Sequence, residues 1–225
     1  MNCISVAIDG PAGAGKSSVA KSVAAETGYV YIDTGAMYRT VGLYALQNNI
    51  DPKNEDKLSE CVDSLDIQIK YANGEQRIYL NGKDVSDDIR TSEVSRAASD
   101  VATIGVVRKK LVAMQQDMAT KDNVIMDGRD ICTTVLPNAQ IKIFLTASVE
   151  ARAHRRYAEL IEKGAECEYQ QIKEEIIARD KNDSGRKISP LRQAEDAVLL
   201  DTSDMTFEEV KNTLKKMIME YKDVL

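Results

Sequence analysis

Apolar residues along this chain recur in two alternating patterns, short uninterrupted runs and longer stretches with a helical period. Residues 3–9 form a Val- and Ile-rich run with the length of a buried strand. A glycine-bearing loop follows. Residues 17–27 then carry Val19, Ala20, Val23 and Ala24 at helical spacing, with Gly28 as a C-terminal stop. The strand pattern returns at 29–32 and the helical one at 38–47, which ends in Asn48-Asn49. Further short apolar runs lie at 124–126, 141–145 and 197–200, and helices fit at 149–163, 169–181 and 206–221. The last helix opens with Thr206 and Glu209 at capping-box spacing. Strands alternating with helices in this way predict an α/β fold, a parallel central sheet flanked by helices in three layers.

The middle of the chain breaks the rhythm. Residues 66–71 alternate, with Ile67, Ile69 and Tyr71 set against Gln68 and Lys70, and 76–80 alternate again. Asn73-Gly74 separates the two stretches and Asn81-Gly82 follows them, both strong hairpin-turn dipeptides. A small antiparallel sheet is therefore expected as an insert in the parallel protein. It leads into 91–118, which reads as two helices broken near Gly105. The expected organisation is one chain over 1–225: a core of 1–62 and 105–225, a helical lid at about 155–184, and an inserted subdomain at 63–104.

Composition narrows the function. There are 30 Lys and Arg against 36 Asp and Glu, a formal net charge of −6, which argues against a general nucleic-acid surface. No apolar run approaches the roughly 18 residues that would suggest a membrane span. The four cysteines, Cys3, Cys61, Cys132 and Cys167, are far apart, form no CxxC and have a single histidine for company. That spacing fits reduced thiols rather than disulfides or zinc, and the expected location is the cytoplasm.

The strongest chemical signal is Gly10-Pro11-Ala12-Gly13-Ala14-Gly15-Lys16-Ser17, a P-loop pattern between an apolar strand and an amphipathic helix. Glycines let backbone N–H groups converge on one anion, and the helix N-terminus adds the positive end of its dipole. Lys16 is placed to bridge β- and γ-phosphates, and the Ser17 hydroxyl to ligate Mg²⁺. Ser18 continues the loop into the helix. The pattern points to nucleoside triphosphate binding and is silent on the reaction. A guanine-reading Asn-Lys-x-Asp segment is absent, so a signalling GTPase is not indicated. Arginines stand instead in charged, loop-like settings: Arg39, Arg108, Arg129, Arg155, Arg156, Arg179 and Arg186. Their planar forks suit bidentate phosphate binding, as transfer between two anionic substrates requires.

Three further segments carry a resemblance. Asp33-Thr34-Gly35-Ala36-Met37-Tyr38-Arg39 is the first and Asp127-Gly128-Arg129-Asp130-Ile131-Cys132-Thr133 the second. The third is Arg179-Asp180-Lys181-Asn182-Asp183-Ser184-x-Arg186, with Ser189-Pro190-Leu191 after it. With the P-loop, and in this order and spacing, they resemble the bacterial cytidylate kinases over nearly the whole chain. The hairpin insert is similar to that family's enlarged nucleoside-monophosphate domain. The chain departs from the family pattern at Cys132, where glycine is usual, at Ser18, where threonine is common, and at Thr34, where serine is frequent.

The resemblance implies that ATP and CMP or dCMP are the substrates, with Mg²⁺ accompanying ATP, in an enzyme that works as a monomer. It implies that Thr34 and Arg39 meet the CMP phosphate with Arg129, and that Ser99, Arg108 and Asp130 read cytosine. Arg179 and Asp183 would hold the ribose, and Arg186 would bridge to the transferring phosphoryl. Arg152, Arg155 and Arg156, with the Lys163-Gly164 turn, are similar to the lid over ATP. Leu200-Asp201-Thr202-Ser203 resembles the loop near the adenine.

The acceptor phosphate is largely dianionic at neutral pH, so no general base is needed. His154 is accordingly expected to be a surface or structural residue. Lys16, Mg²⁺ and the arginines would supply positive charge to the transition state. Two roles are open for Asp127, a Walker-B-like carboxylate holding a Mg²⁺-bound water or a loop anchor paired with an arginine. Cys132, beside Arg129 in a positive cleft, is expected to ionise more easily than the other thiols and to be shielded by CMP. Competing readings are a P-loop kinase for UMP or shikimate, and a regulator that binds ATP without transferring phosphate.

Overall fold

The computed structural model describes residues 3–72 and 75–224. Its elements form two compact units, Met1–Val30 with Asn123–Leu225 and Tyr31–Asp122. Among the described residues no helix is long and apolar enough to cross a membrane.

The larger unit is built on a parallel sheet. Strand β1 (Ser5–Asp9) lies between β6 (Val124–Gly128) and β7 (Ile141–Thr146), and β8 (Val198–Asp201) follows β7. The sheet order is β2-β6-β1-β7-β8, and β2 (Val30–Asp33) enters it through Val30, whose N–H donates to Asn123 O at 2.8 Å. Pairing of β1 with β6 runs from Ser5 opposite Val124 to Asp9 opposite Gly128. The central strands are covered on both faces: Val6, Ala7, Ile8, Val124, Ile125, Met126, Ile143 and Leu145 are all buried. This explains why they read as continuous apolar runs. Helices α1 (Lys16–Thr27), α6 (Val149–Glu162), α7 (Tyr169–Gly185) and α8 (Phe207–Val224) complete the unit. The expected capping box precedes α8, with Thr206 N donating to Glu209 Oε2 at 2.7 Å and Glu209 N to Thr206 Oγ1 at 3.3 Å. Ala153, Ile172 and Ile176 join α6 to α7 in a small core of their own.

The smaller unit contains the antiparallel sheet β3 (Ile67–Ala72), β4 (Glu75–Leu80) and β5 (Lys83–Asp84), in that order. Asn81 and Gly82, at φ 51° and 81°, make the turn between β4 and β5. The Asn73-Gly74 turn lies outside the described residues. The stretch 63–104 does not stand alone in this unit. It shares one apolar core with α2 (Thr34–Gln47), α3 (Glu55–Cys61) and α5 (Gly105–Ala119), through Met37, Val41, Leu58, Ile78, Val101, Val107 and Leu111.

Two helix boundaries bear on the site. α4 (Ser92–Val101) and α5 break just before Gly105, as the sequence indicates. α2 begins a full turn earlier than the apolar pattern suggests, at Thr34 rather than 38. Asp33 caps it, its Oδ1 accepting from Ala36 N at 2.9 Å, so the 33–39 motif is a helix start and not a loop. Gly42 in α2 lets α4 come close, because a Cβ there would meet Ala98 N at 2.9 Å.

Candidate active site

In the larger unit β1 ends at Asp9 and the chain turns through the glycine loop into α1. Gly10 is required by contact as well as conformation: at φ 150°, an added Cβ would lie 1.9 Å from the Leu145 carbonyl oxygen of β7. Gly13 and Gly15 take φ 75° and 90°, which bends the backbone into a cradle. Lys16 lies buried at the base of α1 and donates from Nζ to Pro11 O at 2.7 Å. Burial first, then the positive charge of Arg129, lowers its pKa to about 7. Ser17 Oγ donates to Asp127 Oδ2 at 2.8 Å, which places a hydroxyl and a buried carboxylate side by side at the mouth of the loop.

Arg129 and Arg179 both act electrostatically on Lys16, and Arg129 joins a cluster of charges at α7. Asp183 on α7 is 1% exposed, accepts from Arg129 Nε at 2.7 Å through Oδ2, and pairs with Arg186 through Oδ1. Burial is the largest single influence on Asp183 and opposes its charge. Arg129 and Arg186 together outweigh it and hold the carboxyl below its ordinary value of 3.8. Arg179, on the same helix, acts electrostatically on both Lys16 and Asp183. Because the folded pKa of Asp183 lies below the unfolded one, its stabilising share is complete above the unfolded value and vanishes as pH falls through the folded value. Asp183→Asn should therefore lower Tm clearly at neutral pH and progressively less below about pH 4. Thermal melts of both proteins across that range check this.

Arg152, near the start of α6, was expected only as part of the lid, and the structure ties it to the glycine loop as well. It is nearly buried, donates from Nε to Ala147 O at 2.9 Å and from Nη1 to Ala12 O at 3.1 Å, and forks onto Asp180 at 3.0 and 2.7 Å. It thus ties a carbonyl of the glycine loop to α7. Arg155 and Thr202 come together, Nη1 to Oγ1 at 3.2 Å and Nη2 to the Thr202 carbonyl at 2.5 Å. Arg156 is directed elsewhere, to Glu159 one turn along its own helix at 2.7 Å. His154 is exposed and rests on the Tyr169 ring, with centroids 4.6 Å apart.

Asp9 is a residue that sequence reasoning passed over. Its carboxylate accepts from Ile131 N and Cys132 N, each at 2.8 Å, and burial pushes its pKa up to about 6. An acidic residue closing an otherwise apolar strand was the signal available. Asp130 is buried immediately before this pair.

Cys132 reverses the expectation of a reactive thiol. It is 2% exposed, its Sγ lies 3.5 Å from Ala7 O and 3.8 Å from Ile143 O, and burial, followed by the charge of Asp9, drives its pKa well above the ordinary thiol value. Desolvation and an adjacent carboxylate outweigh the neighbouring arginine. Under native conditions Cys132 should be the last of the four cysteines to be alkylated, since Cys3, Cys61 and Cys167 are all partly exposed. Mass mapping of a time course reads this directly, and early labelling of Cys132 would contradict it.

In the smaller unit, Thr34 is buried at the first position of α2, and Arg39 pairs with Asp33 at 2.8 Å. Arg108 on α5 is 4% exposed, donates to Tyr38 Oη at 3.3 Å and lies 5.9 Å from the centre of that ring. Ser99 is half-buried on α4.

Strand, glycine cradle and helix, with Lys16, Ser17 and Asp127 in these positions, define a P-loop nucleotide-binding protein. The family model described as cytidylate kinase matches residues 6–220. The chain is 54% identical over 210 residues to a cytidylate kinase of Caldicellulosiruptor bescii, covering 93% of each chain. It is 52% identical over 217 residues to a cytidylate kinase of Bacillus cytotoxicus, covering 96% of each. In fold alone it is similar to the crystal structure of an uncharacterized protein from Eubacterium ventriosum, at 12% identity and TM-score 0.50 over 98% of each chain. The chain belongs to the cytidylate kinase family.

Proposed function

We propose that this protein transfers the γ-phosphoryl group of ATP to CMP, and to dCMP, giving the diphosphate and ADP. The observation that carries the reading is that Lys16 lies within the fields of Asp127, Arg129 and Arg179, with Ser17 on Asp127 and with Arg129 clamped, beside Arg186, on one buried aspartate. Such a cluster suits a reaction whose chemical demand is to hold phosphates in line and offset the charge that builds on them.

In this reading the glycine loop cradles the ATP phosphates with its N–H groups, Ser18 and Thr202 complete the ATP contacts, and Lys16 neutralises the β- and γ-oxygens. Arg129 and Arg186 face the transferring group, and Asp183 fixes their direction. A carboxylate offers about four lone-pair sites, so the two arginine bonds leave Asp183 able to accept from ribose hydroxyls beside Arg179. Arg155, anchored on Thr202, and Arg156 belong to the lid. On the smaller unit Arg39 and Thr34 take the acceptor phosphate, and Arg108 and Ser99 the base, which Asp130 also reads. The donor set fits Mg²⁺: a hydroxyl and a carboxylate are hard oxygen ligands, few in number as that ion prefers beside phosphates. Ser17 and Asp127 would hold it, and when bound it offsets phosphate charge. No proton needs to leave the acceptor, because its phosphate is already mostly dianionic. In the same reading the protein would act in the cytoplasm, as a monomer, in pyrimidine nucleotide metabolism.

A coupled ADP-release assay with ATP and CMP, dCMP, UMP, AMP, GMP and shikimate in turn tests this reading. CMP and dCMP should be the fast acceptors. Faster turnover with UMP or shikimate, or ADP release independent of any acceptor, would overturn it.

A further inference from the structure

We propose that Asp9 is a positioning residue for phosphoryl transfer, its carboxylate locking the loop that carries Arg129 and Asp130 onto the strand that opens the glycine cradle. The inference rests on the phosphotransferase reading above and concerns a residue to which that reading assigns no part.

Three observations converge on it. Asp9 is 1% exposed, and its two oxygens are taken one each by the N–H groups of Ile131 and Cys132, both at 2.8 Å. These groups open the short π-helix Ile131–Val135, where the first N–H groups have no partner within the helix. The residue that would ordinarily cap such a turn is the aspartate just before it. Asp130 makes no such cap, although aspartate is among the best capping residues. A carboxylate 122 positions before Ile131 does the capping instead.

The consequence is geometric. On one side the Arg129–Asp130 pair is held by β6, whose Gly128 lies in register with Asp9 in the parallel sheet. On the other side it is held by the Asp9 side chain. The next residue after Asp9 is Gly10, the first of the glycine cradle. One residue therefore fixes the spacing between the loop that binds the phosphoryl donor and the loop whose Arg129 faces the transferring group. Its carboxylate has no place in the chemistry itself.

The chemistry of the substitutions orders the expected effects. Asn keeps one acceptor but turns an NH₂ group against the second N–H, whereas Ala leaves both buried donors without a partner. Misplacing a reacting group by about 1 Å costs on the order of 10²-fold in rate. Asp9→Asn should thus reduce kcat about ten-fold and Asp9→Ala about a hundred-fold. KM for ATP should stay within about two-fold, because the cradle N–H groups and Lys16 are unchanged.

The experiment measures kcat and KM for ATP and CMP in the unaltered protein and both variants, well below each Tm, and normalises kcat to calorimetric ATP-binding sites. A residue that only stabilised the fold would lower the number of sites and leave kcat per site intact. That outcome, kcat per site within about two-fold of the unaltered protein in both variants, overturns the proposal. Should neither variant fold, amide exchange on the unaltered protein decides. The Ile131 and Cys132 amides should exchange with the slow β1 amides, and exchange at the rate of exposed loops overturns the proposal. If the unaltered protein transfers nothing to CMP, the parent reading fails as well. If it transfers normally and the variants match it, only the role of Asp9 fails.

Discussion

Replacing Lys16 by alanine is expected to reduce phosphoryl transfer on the order of 10² to 10³-fold while leaving the fold intact. The lysine is buried at the start of α1, and its ammonium donates to the Pro11 carbonyl at 2.7 Å. Burial and Arg129 pull its pKa down to about 7, so its protein surroundings disfavour the charge. An anion in the cradle reverses the balance, since an opposite charge at close range favours the ammonium. The interaction then strengthens as charge develops on the transferred group. The side chain makes no contribution to the sheet, and its loss should leave the circular dichroism spectrum unchanged. A Lys16→Ala protein that turns over at near-normal rate with that spectrum would contradict the role given to the loop.

The second large effect concerns the base. Cytosine offers a donor at N4 and acceptors at N3 and O2, whereas uracil offers an acceptor at O4 and a donor at N3. A carboxylate and a hydroxyl such as Asp130 and Ser99 can accept from the cytosine amino group but oppose the uracil carbonyl. Arg108, nearly buried and oriented by Tyr38, can donate to N3 and O2 of cytosine and meets a competing N–H in uracil. Each mismatched buried polar group costs about 1–3 kcal/mol, which compounds to a large preference. Asp130→Ala and Ser99→Ala should each lower kcat/KM for CMP and leave UMP nearly unchanged, so that the CMP/UMP ratio falls toward one. Arg39→Ala should weaken both acceptors alike, because in the proposed reading this guanidinium, paired with Asp33 at the start of α2, takes the acceptor phosphate and not the base. Steady-state kinetics with both acceptors separates the two classes. A ratio that survives loss of Asp130 and Ser99 but collapses with Arg39 would contradict the assignment.

What could be read from the sequence, and what could not, divides by the range of the interactions. The strand, glycine loop and helix around Lys16, the Asn81-Gly82 turn and the Thr206–Glu209 capping box are set by neighbours in sequence, and the structure contains all three. The early start of α2 was hidden because Gly35 and the β-branched Thr34 disfavour helix, and only the Asp33 cap reveals it. Asp9 holding Ile131 and Cys132, and Arg152 holding Asp180 and the Ala12 carbonyl, join positions far apart in the chain, which no local pattern encodes. Cys132 failed for another reason. The sequence shows that Arg129 is close but not that the thiol is sealed between β1 and β7 with a carboxylate beside it, and burial decides the sign.

The claim that joins these residues is that phosphoryl passes from ATP directly to CMP. A single-turnover reaction with excess enzyme, ATP labelled at the γ-phosphorus and CMP follows that atom. The account predicts that the label moves from ATP to the β-position of CDP in one phase, without accumulating as inorganic phosphate. Label that remains in ATP, or that is released as inorganic phosphate at the same rate with and without CMP, would contradict it.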